Sequence, residues 1–222
     1  TIAALHLQAE AGTHRTLALD GPGCGKKRGQ DTSGLLFEAV NAELVADIEA
    51  AGLRDVVLVG HSQAGIHMPA MVAQRPGLFR QLIFVTTTAP DQGLTVAEMT
   101  GERLHPGGHP FSDTSLSVRE RYARMFCNDM AEAEAEAFLD KLGGDMWPAC
   151  CYSQREWAFD HLARLPVSYV LCLTDSILPL EWQERFAARV HARSTPRIDA
   201  AHQVMNTRPH ALAEVLLREA AS

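Results

Sequence analysis

The sequence predicts an α/β fold: a mostly parallel sheet with helices on both faces and a helical insertion near the middle of the chain. Three observations carry that expectation. The runs "DVVLVG" (residues 55–60), "QLIFVTTT" (81–88) and "VSYVLCLT" (167–174) are short and largely apolar, as strands buried on both faces are. Helical patterns alternate with these runs, and strand–helix alternation implies parallel pairing. Between Pro90 and Pro166, by contrast, only loops and helical stretches occur.

Taken in chain order, "TLALD" (16–20) is a first strand, closed by a Gly/Pro-rich turn. "FEAVNAELVADIEAAG" (37–52) sets Phe37, Val40, Leu44, Val45 and Ile48 on one helical face, with Gly52 as the C′ residue. Strand 55–60 follows, then a helix over 63–75 stopped by Pro76, then strand 81–88. Inside the insertion, residues 131–142 form an alanine–glutamate helix. Beyond strand 167–174 come a helix through "LEWQERFAARVHA" (180–192), a short strand near "TPRID" (195–199) and a terminal helix from Pro209. The expected organisation is a core piece over 1–90, a lid over 91–165 and a second core piece over 166–222. Lids of this kind exclude water and select substrates.

At 222 residues the chain suits one domain with a sizeable core. Its net charge of −7 comes without any basic block, which argues against a nucleic-acid partner. The short run Lys26-Lys27-Arg28 is flanked by glycine and fits a solvated loop. No apolar run approaches the roughly 18–20 residues that span a membrane. The cysteine count is five, odd, with no repeated C-x-x-C. Free thiols in a reducing compartment are expected, and with them a cytoplasmic location.

The stretch "VVLVGHSQAG" (56–65) carries the chemistry. A serine nucleophile in a parallel sheet needs a sharp strand-to-helix turn that exposes Oγ at the carboxyl edge. Residues two positions away must be small, because the turn crowds their backbones. Gly60 and Ala64 flank Ser62 in that way, a strand precedes it and a helix follows. The free N–H groups at the helix start adjoin Ser62, and the backbone N–H of Gln63 is the oxyanion donor. A base and its orienter are then expected downstream in the order acid, histidine. Asp175 follows strand 167–174, and His202 follows the "TPRID" strand; both fall on the sheet edge that holds Ser62. His202 would take the Ser62 proton while Asp175 fixes the imidazole. Asp91, after strand 81–88, is the alternative acid.

Together "VVLVGHSQAG", "YVLCLTDSILPLEWQERF" and "DAAHQVMNTRP" resemble the α/β-hydrolase superfamily, and within it the small-esterase branch of plant methylesterases and hydroxynitrile lyases. "MFCND" (125–129) in the insertion shares the likeness. The resemblance implies an eight-stranded α/β-hydrolase fold, serine catalysis by Ser62, Asp175 and His202, and no cofactor. It also implies further N-terminal strands and a His-Gly loop supplying the second oxyanion donor. Neither occurs before "TIAALHLQAEAG" (1–12), which resembles the helix after that loop, so those strands are missing from the sequence as it stands. Lyase members place a lysine just after the catalytic histidine; here Gln203 stands there.

Other motifs carry less. "DGPGCGKK" (20–27) matches neither phosphate-loop pattern, since Asp20 and Lys27 occupy positions that need Gly and Ser/Thr. His105 and His109 have a metal-like spacing but no neighbouring cysteines, and no metal site is expected. His61, Phe126, Trp147 and Trp157 are candidates for lining a substrate pocket, with plain packing as the competing reading of each. The expected function is a serine hydrolase of a small or medium apolar carboxylic ester, lactone or thioester. The expected partner is a small apolar substrate, with neither nucleic acid nor membrane involved; a homodimer is compatible. The alternatives are a hydroxynitrile-lyase-like C–C lyase and a ligand-binding receptor of weak activity.

Overall fold

The computed structural model describes residues 14–109 and 112–222. At its centre lies a parallel sheet of four strands in the order β1 (Val56–His61), β2 (Phe79–Val85), β3 (Val167–Cys172) and β4 (Arg197–Ile198). The register pairs His61 with Val85, Val85 with Val170, and Cys172 with Ile198. Parallel pairing puts all four carboxyl ends along one edge, where ligands of open α/β sheets bind. Ser62, Thr86, Asp175 and His202 each follow one of these strands.

Side chains alternate across the sheet with the period of two that strand geometry dictates. Leu82 and Phe84 of β2, with Val167, Tyr169 and Leu171 of β3, join one core. Helices α1 (Phe37–Ala50), α2 (His67–Gln74) and α7 (Leu180–Arg189) cover that face. Ile83, Val85, Val170 and Cys172 point the other way, against α8 (Val204–Thr207) and α9 (Pro209–Ala220). Every residue of β3 is buried, which explains why its sequence is largely apolar without alternation. The five residues expected on the inner face of α1 are all buried, and Gly52 ends that helix at φ +67. Left-handed backbone there favours glycine, and Leu53 N–H closes the turn on Ile48 O at 3.3 Å.

Residues 86–166 contribute no strand among those described. They hold the short helices α3 (Val96–Glu98), α4 (Val118–Phe126), α5 (Glu132–Leu139) and α6 (Ala149–Ser153). Helix α4 starts on a reciprocal cap: Glu120 N–H donates to Ser117 Oγ at 3.2 Å, and Ser117 N–H to the Glu120 carboxylate at 2.7 Å.

One expectation changes: residues 16–20 form no strand, and the sheet among the described residues has four strands. A strand exists only as a pair, and β1, an end strand of this sheet, pairs only with β2 among the described residues. Apolar composition alone therefore leaves Leu17 exposed at 42%. The "TIAALHLQAEAG" segment falls outside the described residues. All five cysteines are free. No helix among the described residues is long and apolar enough to cross a membrane.

Candidate active site

Strand β1 ends at His61, and Ser62 turns the chain with φ +51 into a tight 3-10 turn, Ser62–Ile66, that leads into α2. Left-handed backbone at a residue with a side chain costs about 1–3 kcal/mol and persists only where the surroundings impose it. Here they do so through two glycines. A Cβ on Gly60 would lie 2.4 Å from Met68 Sδ and 3.1 Å from Gly65 Cα; one on Gly65 would lie 2.4 Å from Thr87 Cγ2. Ala64, which spacing from the serine marks as the crowded position, is exposed. The close approach is Gly60 to Gly65, and that is why alanine is tolerated at 64. Gly65→Ala should therefore destabilise the fold by about 1–3 kcal/mol through overpacking, whereas Ala64→Gly should stay within about 1 kcal/mol. Denaturant midpoints of the two variants check this; equal losses would show that the elbow is not crowded at Gly65.

From Ser62 a chain of hydrogen bonds runs inward. Ser62 Oγ lies 2.7 Å from His202 Nε2, and His202 Nδ1 lies 2.7 Å from Asp175 Oδ2. A carboxylate only accepts, so Nδ1 carries the proton and Nε2 is free to receive that of Ser62. The side chains of His202 and Asp175 are 1% and 0% exposed. Four donors converge on the buried carboxylate. Thr86 Oγ1 (2.5 Å) and His202 Nδ1 share Oδ2, while the N–H groups of Ile177 (2.8 Å) and Leu178 (3.0 Å) share Oδ1. Burial alone would push this carboxyl up. The charge and hydrogen bond of His202, with the bonds from Thr86 and Leu178, outweigh it and hold the group below the ordinary carboxylate value.

The loops bearing Asp175 and His202 are tied to the sheet. Thr174 N–H donates to Ala200 O at 3.1 Å, extending the β3–β4 ladder to the residues just before them. Gln183 of α7, fully buried, accepts from Cys172 N–H (2.9 Å) and donates to Cys172 O (2.8 Å) and Leu178 O (2.7 Å). Thr86 and Gln183 belong to no recognisable motif. The only trace of Thr86 is a polar "TTT" ending an apolar run.

The remaining sequence candidates divide. His61 Nε2 donates to the His202 carbonyl at 2.7 Å, with ring centroids 4.8 Å apart. Burial and the neighbouring His202 charge lower it to about 3, so it stays neutral. Phe126 lies 6.0 Å from the His202 ring, tilted at 41°. Trp147 and Trp157 go elsewhere: Trp147 stacks on His67 at 4.6 Å, and Trp157 meets Phe37 edge-on and donates to Leu94 O at 2.8 Å. These contacts are with Phe37 of α1 and His67 of α2, and Trp157 also lines a surface cavity with Pro90 and Phe159. Gln63 begins the 3-10 turn with Ser62, where N–H groups lack helical acceptors, and its side-chain Nε2 is buried without a partner among the described residues. Asp91 is paired with Arg189 and, at 3.5 Å, with Arg103; no contact joins it to His202. His105 donates Nε2 to Ile177 O at 2.8 Å and meets His109 edge-on. No cluster of three metal-ligating side chains occurs among the described residues.

Comparison with known proteins agrees with this architecture. No curated protein matches the chain in sequence. Among solved structures, a polyneuridine aldehyde esterase superposes with a TM-score of 0.75 at 19% identity, covering 98% of this chain and 92% of its own. A methylesterase from Arabidopsis gives 0.75 at 15% identity, covering 99% and 92%. A pyrethroid hydrolase from Sphingobium faniae JZ-2 gives 0.74 at 21%, covering 99% and 91%. At such identities the likeness carries the fold. Residues 2–215 match the family model described as "Alpha/beta hydrolase family". With an elbow at the end of a parallel strand and that match over nearly its whole length, the chain belongs to the alpha/beta hydrolase family.

Proposed function

We propose that the protein is a serine hydrolase of small or medium apolar carboxylic esters, including lactones and thioesters, acting through an acyl-enzyme. The observation that carries the reading is the unbroken chain Ser62–His202–Asp175, with both links at 2.7 Å. Ser62 Oγ attacks the carbonyl carbon as its proton passes to His202 Nε2. The oxyanion forms beside the Gln63 N–H, and His202 returns the proton to the leaving alcohol. Water, deprotonated by His202, then releases the acid. Asp175 stabilises the imidazolium while staying ionised. Phe126, beside the imidazole, supports an apolar substituent on the substrate. Esterase and hydrolase neighbours of the same fold favour this class, and Gln203, in place of a lysine, speaks against cyanohydrin cleavage.

A fluorophosphonate should add one phosphonyl group, mapped to Ser62, and remove the burst of nitrophenol from p-nitrophenyl acetate. In ¹⁸O-water one heavy oxygen should enter the released acid. A protein that labels at Ser62 but yields an aldehyde or ketone without water uptake would be a lyase. One that binds ligands without turnover would be a receptor.

A further inference from the structure

We propose that Asn128 and Asp129, in the insertion, are positioning residues that clamp the two loops carrying Asp175 and His202 at the separation the proton relay needs. The proposal rests on the hydrolase reading of those residues. Helix α4 ends at Phe126, and the chain then passes directly over both loops. Asn128 Nδ2 donates to Thr174 O at 2.9 Å, one residue before Asp175. Ser176, one residue after it, has its hydroxyl 3.3 Å from both Arg124 O and Met125 O and 3.4 Å from Asn128 Oδ1. Asp129 Oδ2 accepts from Ala201 N–H at 2.9 Å, one residue before His202, and from Thr207 Oγ1 at 2.9 Å beyond it. Arg208 Nη1 stands 4.0 Å away. Phe126, immediately upstream, packs on the imidazole itself.

The need for such a clamp follows from where the sheet stops. The backbone ladder between the two loops reaches Thr174 N–H to Ala200 O. Past it, Asp175 and His202 are joined by their own 2.7 Å bond and by whatever holds the loops from outside. Asn128 holds one loop and Asp129 the other, and the two residues are adjacent in the chain. Their separation is therefore fixed by a single peptide unit.

Asp129 Oδ1 is buried and without a partner among the described residues, while Oδ2 takes both donors. Removing the carboxylate leaves the buried Ala201 N–H without its acceptor, at a cost to the fold of about 1–3 kcal/mol. What the relay loses is orientation. A misplacement of about 1 Å in a proton relay costs up to about 100-fold in rate. Because the clamp belongs to the insertion, relay geometry and insertion seating become one event.

The test uses the full chain, as wild type, Asp129→Ala, Asp129→Asn and Thr207→Val. Two readouts are followed: kcat against KM on p-nitrophenyl acetate, and the far-downfield proton NMR signal of His202 Nδ1–H. Asp129→Ala should lower kcat about 10–100-fold with KM within about twofold, and should broaden the downfield proton. Asp129→Asn keeps an oxygen for Ala201 N–H and should retain most of both signals. Thr207→Val should move both in the same direction by less, and it decides the matter if Asp129→Ala does not fold. The proposal is overturned if Asp129→Ala keeps kcat and a sharp proton signal, or if Asp129→Asn falls as far as alanine. The hydrolase reading fails separately: wild type would then neither label nor turn over ester, while Asp129→Ala would still broaden the downfield proton.

Discussion

Replacing Asp175 by asparagine should leave the fold standing and lower kcat on a small ester by about four orders of magnitude. The four donors around this carboxylate dictate the outcome. Oδ1 faces two backbone N–H groups, from Ile177 and Leu178, which cannot rotate away. An asparagine must present its amide oxygen to them and its NH₂ to Thr86 and His202. The Thr86 hydroxyl can turn and accept. His202 Nδ1 must then also accept, which moves its proton to Nε2, where it faces Ser62 Oγ. A base that already holds a proton cannot take another. Asp91→Asn should change kcat by no more than about threefold, since Asp91 is engaged with Arg189 and Arg103 rather than the relay. Steady-state kinetics of the two variants decide the assignment. A crippled Asp91→Asn beside a mild Asp175→Asn would reverse it.

Acid should weaken the fold well before its carboxylates titrate. His67 is 1% exposed and stacked between Phe37 at 5.0 Å and Trp147 at 4.6 Å. Asn41 Nδ2 is committed to Phe37 O, so Asn41 Oδ1 accepts from His67 Nδ1–H at 2.8 Å. The bare Nε2 is buried without a partner among the described residues, and burial lowers the imidazole to about 4. An unfolded histidine titrates near ~6.5. Between those values the unfolded chain binds a proton that the folded one refuses, so stability rises with pH across that window and falls as pH drops. At ~1.36 kcal/mol per pKa unit, the loss on going from pH 7 to 4 is roughly 3 kcal/mol. His61, half-buried and lowered to about 3, adds to it. Carboxylates held low, such as Asp175 and Glu98, contribute stability that is lost only as pH falls below their unfolded values, near ~4. Urea unfolding at a series of pH values should show the earlier loss in wild type. In His67→Gln, which keeps a donor for Asn41 but cannot be protonated, the slope should flatten. Identical pH dependence in the two proteins would rule His67 out as the cause.

What the sequence disclosed and what it hid differ by the range of the contact involved. The elbow is a local device: an apolar run, a glycine, a serine and a helix start lie within ten residues and can be read off directly. Helix α1 and the three longer strands are likewise patterns of burial that repeat along a short stretch. Thr86 was hidden because a threonine after a strand looks like more strand; only the fold sets it against a carboxylate 89 residues away. Asn128 and Asp129 stood inside a stretch of recognised likeness, yet nothing local says that one reaches Thr174 and the other Ala201. The crowded partner of Gly60 is Gly65, one residue beyond the position that spacing marks, for a geometric reason. A 3-10 turn winds more tightly than an α-helix, so residue 64 points outward and residue 65 lands against the strand. Residues 16–20 failed in the opposite sense, since apolar composition cannot supply a neighbouring strand.

The backbone at Ser62 sets folding and chemistry at odds. Its left-handed φ is one that glycine adopts freely and serine does not, so the position the proposed nucleophile occupies is one where the fold would be better served without it. Selection for heat tolerance alone would drift towards a glycine there and towards an inert protein with a sounder sheet. A thermostable form that still turns over substrate has to gain its margin elsewhere, on α1 or α9 for instance, and leave the strained residue as it is. Stability in this chain is therefore a poor proxy for competence, and its most informative weakness lies at the residue proposed to do the work.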